Sequence, residues 1–140
     1  MKYNIEKLIR FEHCDPAGIV FYPRYFELIN QVVEDWFAEK LLLDFHKLFE
    51  NRNGIPMVHS ECDFLSPSRL GERVMFELEA EKIGTSSCTL NIVARGKDDI
   101  KLKARMVLVF AEISIKGDIT CQPFPDELRI LMNEYLKEEQ

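Results

Sequence analysis

The residues of this chain best suited to chemistry lie in one run, His13-Cys14-Asp15-Pro16-Ala17-Gly18-Ile19-Val20-Phe21-Tyr22-Pro23-Arg24-Tyr25. A carboxylate such as Asp15 titrates near pKa ~3.9 when unperturbed, so it is ionised at neutral pH. It can attack a carbonyl itself or, with its pKa raised by burial, activate a water. Pro16 restricts Asp15 to extended backbone and Gly18 admits a conformation closed to other residues, so the turn can aim the carboxylate. Pro23 suits the first turn of a helix, where its missing N–H costs nothing. The first N–H groups of such a helix lack intrahelical acceptors and carry the positive end of its dipole, which suits a developing oxyanion. In isolation, Asp-Pro-x-Gly is most often a surface turn. The continuation through Val20, Tyr22, Pro23 and Tyr25, between a strand pattern and a helix pattern, raises it above that reading.

Those residues need elements to hold them. Tyr3, Ile5, Lys7, Ile9 and Phe11 share one face of a predicted strand over residues 3–11. From Pro23 the period changes: Tyr25, Phe26, Ile29, Val32, Val33, Trp36 and Phe37 recur at helical steps to about Glu39. A second helical piece is predicted over 40–50, closed by Asn51-Arg52-Asn53-Gly54. Strand alternation follows in Val58, Ser60, Cys62 and Phe64, in Val74, Phe76, Leu78 and Ala80, and in Cys88, Leu90, Ile92 and Ala94. The longest alternation runs from Ile100 to Phe110, and its other face changes from Lys101, Lys103 and Arg105 to Val107, Val109, Ala111 and Ile113. Burial of that second half on both sides points to oligomerisation. Leu128, Leu131, Met132 and Tyr135 close the chain as a helix. A curved antiparallel sheet wrapped around residues 23–39 is the economical way to bury a helix apolar over so much of its surface.

The 140 residues are expected to form one domain, 1–140, with no internal repeat or linker. A content of 46% hydrophobic and 30% charged residues argues against disorder. With 24 acidic against 18 basic side chains the net charge of −6 disfavours nonspecific binding to nucleic acid or to anionic membranes. The N-terminal run alternates charged and apolar residues rather than presenting a signal-peptide core, so a cytoplasmic location is expected. Cys14, Cys62, Cys88 and Cys121 form no Cys-x-x-Cys pair. Cys14 neighbours Asp15, but adjacent residues in extended chain point to opposite sides, so packing suits it better than nucleophilic attack. His59, Glu61 and Asp63 alternate onto a polar strand face, and no metal site is expected there.

The block from His13 to Tyr25 resembles the active-site signature of the 4-hydroxybenzoyl-CoA thioesterase family, and the predicted layout follows that family over nearly the whole chain. The resemblance implies an α+β hotdog fold and hydrolysis of an acyl-CoA, with an aromatic or short-to-medium-chain acyl group, to free acid and coenzyme A. It implies Asp15 as nucleophile or general base and the Tyr22 backbone N–H as the group polarising the thioester carbonyl. Gly18, Asn30, Ser86 and Ser87 become candidate substrate-binding residues, Asn30 because the middle of the helix lines the acyl pocket in the family. No cofactor is implied beyond the coenzyme A of the substrate. The family assembles as dimers and commonly tetramers, so a homo-oligomer, for instance a homotetramer, is expected. His13 departs from the acidic residue common in relatives and is expected to face water. Pro23 stands where a related branch carries histidine. The basic cluster that some relatives place near the 84–87 turn is absent, which leaves Arg69, Arg73, Lys82, Lys101, Lys103 and Arg105 as candidates for the coenzyme A phosphates. Two other readings fit the same residues: a noncatalytic module binding acyl-CoA or acyl carrier protein, and an acyl-carrier-protein thioesterase.

Overall fold

Helix α1 (Pro23–Glu39) is the centre of the computed structural model, which describes residues 1–138. Its Tyr25, Leu28, Ile29, Val32, Val33, Trp36 and Phe37 are buried. The β-branched Ile29, Val32 and Val33 each cost up to ~0.7 kcal/mol in helix propensity, whereas burying each such side chain is worth about 1.5–3 kcal/mol. Packing rather than propensity therefore holds α1. Around it curves an antiparallel five-stranded sheet in the order β1-β4-β5-β6-β3, built from β1 (Tyr3–Leu8), β3 (Met57–Phe64), β4 (Arg73–Ile83), β5 (Ser87–Arg95) and β6 (Ile100–Val109). Val74, Phe76, Leu78 and Ala80 of β4, Cys88, Leu90, Ile92 and Ala94 of β5, and Leu102, Ala104, Met106 and Leu108 of β6 are all buried in one core with α1. This is the α+β layering expected of a hotdog fold.

Three short strands, β2 (Asn53–Gly54), β7 (Ala111–Ile113) and β8 (Ile119–Cys121), make a second sheet beside α2 (Phe45–Glu50). Strands of two or three residues carry no readable period, so the sequence pattern does not announce them. Helix α2 starts five residues later than predicted because Asp44 caps it, its Oδ1 accepting the Lys47 N–H at 2.8 Å. The closing helix, α3 (Asp126–Asn133), packs on β4, and Leu136 extends the sheet edge beside Ala80 where β1 no longer reaches.

Three expectations about faces need correction. Strand β1 ends at Leu8, because the Arg10 N–H donates to His13 Nδ1 and turns residues 11–13 into a 3₁₀ helix; Phe11 is thereby 83% exposed. In β3, Ser60, Cys62 and Phe64 do oppose Met106, Ala104 and Leu102 on the inner face, but a bulge between Met57 and His59 leaves Val58 unpaired and exposed. Lys101, grouped with Lys103 and Arg105 on the basic face of its strand as a candidate for the coenzyme A phosphates, is buried. On the outer face, His59 bonds Glu61 at 2.8 Å, and Arg105 bridges Glu61 and Glu81. Among the described residues no helix is long and apolar enough to cross a membrane.

Candidate active site

Two backbone ladders hold the Asp15 turn. On one side Cys14 pairs with Val20, the Asp15 N–H donates to Ile19 O at 2.9 Å, and the Phe21 N–H donates to His13 O at 2.9 Å. On the other, the Val20 N–H donates to Ser68 O at 2.9 Å and the Leu70 N–H to Gly18 O at 3.1 Å, with Ile19 bridged to Arg69. Within the turn the Gly18 N–H closes onto Asp15 O at 2.9 Å, and the Ala17 N–H donates to Asp15 Oδ1 at 2.9 Å. The half-buried carboxylate is thus fixed through one oxygen. Gly18 has φ +79°, and a Cβ there would meet nothing within 4 Å. Gly18→Ala is therefore expected to cost about 1–2 kcal/mol through backbone conformation alone, read as a shift in denaturation midpoint, and to lower activity by misaligning Asp15.

Tyr22 is already helical at φ −52°, ψ −35°. The Arg24 N–H is taken by Phe21 O at 2.8 Å and the Tyr25 N–H by Tyr22 O at 3.1 Å, and Pro23 has no N–H. Among the described residues the Tyr22 N–H has no backbone acceptor, so it is the open donor at this helix end. Its side chain is 59% exposed.

Beside this junction lies a cleft of ≈ 290 Å³ lined by Ile19, Tyr22, Tyr25, Phe64, Ser66 and Pro67 among others. Phe64, which sequence reasoning placed only as a core strand residue, gathers the aromatic wall: its ring centre is 6.1 Å from Tyr22, 5.6 Å from Tyr25 and 6.2 Å from Phe26. Tyr25 donates its hydroxyl to the buried Ser68 Oγ at 2.7 Å. Burial pushes that hydroxyl above its usual pKa although the bond to Ser68 opposes the shift, so it stays a neutral phenol.

His13 does not face water. It is 5% exposed, and its ring closes the turn ahead of Asp15 by accepting the Arg10 N–H at 2.8 Å. Cys14 packs against the core, its Sγ 3.5 Å from Arg10 O. Burial pushes the Cys88 thiol up to about 12 and the Cys62 thiol up to about 11, so neither is a nucleophilic thiolate near neutral pH.

The remaining candidates are scattered. Asn30 is exposed on α1, one turn beyond Phe26 and outside the cleft lining. Ser86 and Ser87 lie at the far end of the sheet: Ser87 pairs with Val109 and Ser86 O accepts the Phe110 N–H, whereas the loop holding the Asp15 turn joins Lys101 at the opposite end of β6. At about 3.3 Å per residue, that is some 25 Å of strand. A single chain therefore does not bring Ser86 and Ser87 to Asp15. The 84–87 turn uses its carbonyls internally, Arg129 bonding Gly84 O and Thr85 O. Of the basic candidates, Lys101 is buried between Glu72 and Asp99, Arg73 pairs with Glu6, and Arg105 is bridged as above. Arg69 is exposed beside the turn.

Residues 17–103 match the family model described as the thioesterase superfamily, a span that includes Tyr22 and begins two residues after Asp15. A 1,4-dihydroxy-2-naphthoyl-CoA hydrolase of Synechococcus elongatus is 30% identical over 84 residues, covering 59% of this chain and 61% of the relative. The chain thus spans about three fifths of the length of the first curated relatives it matches. Among solved structures, a 1,4-dihydroxy-2-naphthoyl-CoA thioesterase from Synechocystis superposes with a TM-score of 0.84 at 15% identity over 96% of this chain and 97% of that one. The 4-hydroxybenzoyl-CoA thioesterase of a Pseudomonas species superposes with a TM-score of 0.85 at 20% identity, over 93% and 98% of the two chains. At these identities the structures speak for the hotdog fold, and the narrower 4-hydroxybenzoyl-CoA label drawn from the sequence is carried by a structural neighbour alone. The family model covers well over half of the chain, which belongs to the thioesterase superfamily.

Proposed function

We propose that this protein hydrolyses aromatic acyl-CoA thioesters to the free acid and coenzyme A. The observation that carries the reading is the locked Asp15 turn, which the His13–Phe21 ladder joins to the open Tyr22 N–H, together with the aromatic cleft that Ile19 and Tyr22 line. The Tyr22 N–H receives the thioester oxygen as it gains charge, and Asp15 delivers the attack, directly or through a water. The C–S bond then breaks and coenzyme A leaves as its thiolate; when water attacked, the free acid is formed directly, and when Asp15 attacked, a water then cleaves the mixed anhydride to the free acid and restores the carboxylate. These two groups supply both attack and charge stabilisation, so the reading calls for no metal or redox cofactor.

The aromatic class is supported by Phe64, Tyr22 and Tyr25, whose ring edges and faces suit an aromatic acyl group, and by relatives named for a naphthoyl-CoA. The separation of Ser86 and Ser87 from Asp15 supports a homodimer or homotetramer, in which a second copy brings its 84–87 turn to the coenzyme A. Arg69 is the cation best placed to meet a phosphate from the same chain. The widely spaced free cysteines suit a reducing, cytoplasmic setting.

A panel of aromatic, short-chain and medium-chain acyl-CoAs, with one acyl-carrier-protein thioester, tests this. The expected result is the highest kcat/KM on an aromatic acyl-CoA. A preference for the carrier-protein thioester, or stabilisation by acyl-CoA without product, would instead support one of the two other readings.

A further inference from the structure

The charged cluster beneath the 66–72 loop takes no part in the chemistry above, yet it ties that loop to the sheet. Lys101 is a buried ammonium with its donors directed at Glu72 Oε2 (2.7 Å), Asp99 Oδ2 (2.9 Å) and the Pro67 carbonyl (3.0 Å). Its own carbonyl accepts the N–H groups of Leu65 at 2.8 Å and Ser66 at 3.2 Å. Ser66 Oγ lies 2.8 Å from Asp99 Oδ2, and the second Glu72 oxygen accepts the Arg69 N–H at 3.0 Å. Burial alone would lower the Lys101 pKa, but the bonds to Glu72 and Asp99 hold it above the usual lysine value, so the ammonium stays charged. The cluster packs directly against Gly96, where a Cβ would come within 3.0 Å of Asp99 Oδ1, Lys101 Cε and Glu72 Oε2 and would require those side-chain ends to shift.

The other edge of the same loop registers the site. Ser68 O receives the Val20 N–H, the Leu70 N–H reaches Gly18 O, and Ser68 Oγ receives the Tyr25 hydroxyl from α1. Pro67 lines the cleft. A buried ion pair is a weak device for stability, since apolar residues of similar volume often do as well, but three directed bonds specify one loop position.

We propose that Lys101 is a positioning residue for thioester hydrolysis: by gripping Pro67 and Glu72 it fixes the loop against which the Asp15 turn and the start of α1 are aligned. This rests on the thioesterase reading of the site.

The test is Lys101→Met on the full chain, assayed with the best aromatic acyl-CoA and by thermal unfolding. Misplacement of reacting groups by about 1 Å is expected to lower kcat by about 10–100-fold, with KM moving far less. A triple variant, Lys101→Met with Glu72→Gln and Asp99→Asn, removes the stranded carboxylates and is expected to recover Tm but not kcat. Recovery of kcat together with Tm, or a Lys101→Met kcat within about twofold of wild type, would overturn the proposal. Should Lys101→Met fail to fold, Glu72→Gln, which weakens the bond by which Lys101 grips the loop, carries the same comparison of kcat with KM, and an unchanged kcat there also counts against it. Absence of hydrolysis by the wild type would sink the reading of the site itself and this link with it, a different result from an active wild type indifferent to Lys101.

Discussion

Asp15→Ala is expected to lower kcat on an aromatic acyl-CoA by about 10³-fold or more, the upper range for removing a positioned base or nucleophile. The same substitution also deletes the acceptor of the Ala17 N–H, so a stability loss of about 0.5–1.5 kcal/mol should accompany it. Asp15→Asn separates the two effects. The amide keeps an oxygen for the Ala17 N–H and so keeps the turn, but it carries no charge and cannot act as base or carboxylate nucleophile. If Asp15 served only as a turn former, Asn would restore both stability and activity; the site as described predicts that it restores stability alone. A single turnover in oxygen-18 water, with mass analysis of the peptide containing Asp15, then distinguishes the routes. Direct attack forms a mixed anhydride, and water opening it at the Asp15 carbonyl leaves heavy oxygen in the Asp15 carboxylate and an unlabelled acid within that one turnover, whereas a base mechanism labels the acid and leaves Asp15 unlabelled.

Removing the Tyr22 N–H is expected to cost about 10²–10³-fold in kcat, the effect of losing one oxyanion donor. No ordinary side-chain change does this cleanly, so the proper variant replaces the Tyr22 amide with an ester by incorporating the α-hydroxy acid. Tyr22→Phe is the control. The Tyr22 hydroxyl sits on a side chain 59% exposed, and its loss should leave kcat within about threefold of wild type. A large effect of Tyr22→Phe with a small effect of the ester would move the role from backbone to side chain.

How far the sequence reveals this site depends on whether a feature is local. Helix α1 was legible because Tyr25 to Phe37 repeat at helical spacing, and the core faces of β4, β5 and β6 because their alternation is unbroken. The Asp15 turn was legible because Pro16 and Gly18 dictate backbone within a few residues of the carboxylate. What escaped depends on contacts distant in sequence. His13 is buried by a bond to the Arg10 backbone that ends β1, a choice between strand and turn that alternation alone misses. Lys101 stands at an outward strand position, and nothing in its spacing from Glu72 and Asp99 signals that a loop folds over all three. Phe64 reads as one more inward strand residue, although the sheet edge exposes it to the cleft. Ser86 and Ser87 were grouped with Asp15 by resemblance, and only the register of β5 on β6 shows that one chain keeps them apart.

The most direct measurement of the central claim is thiol release on mixing purified protein with 1,4-dihydroxy-2-naphthoyl-CoA or another aromatic acyl-CoA, wild type beside Asp15→Asn. The account predicts many turnovers of coenzyme A and free acid from the wild type, and background release from a variant that is equally folded. Equal release by the two proteins, or tight binding by the wild type with no thiol released from any acyl-CoA, would contradict it.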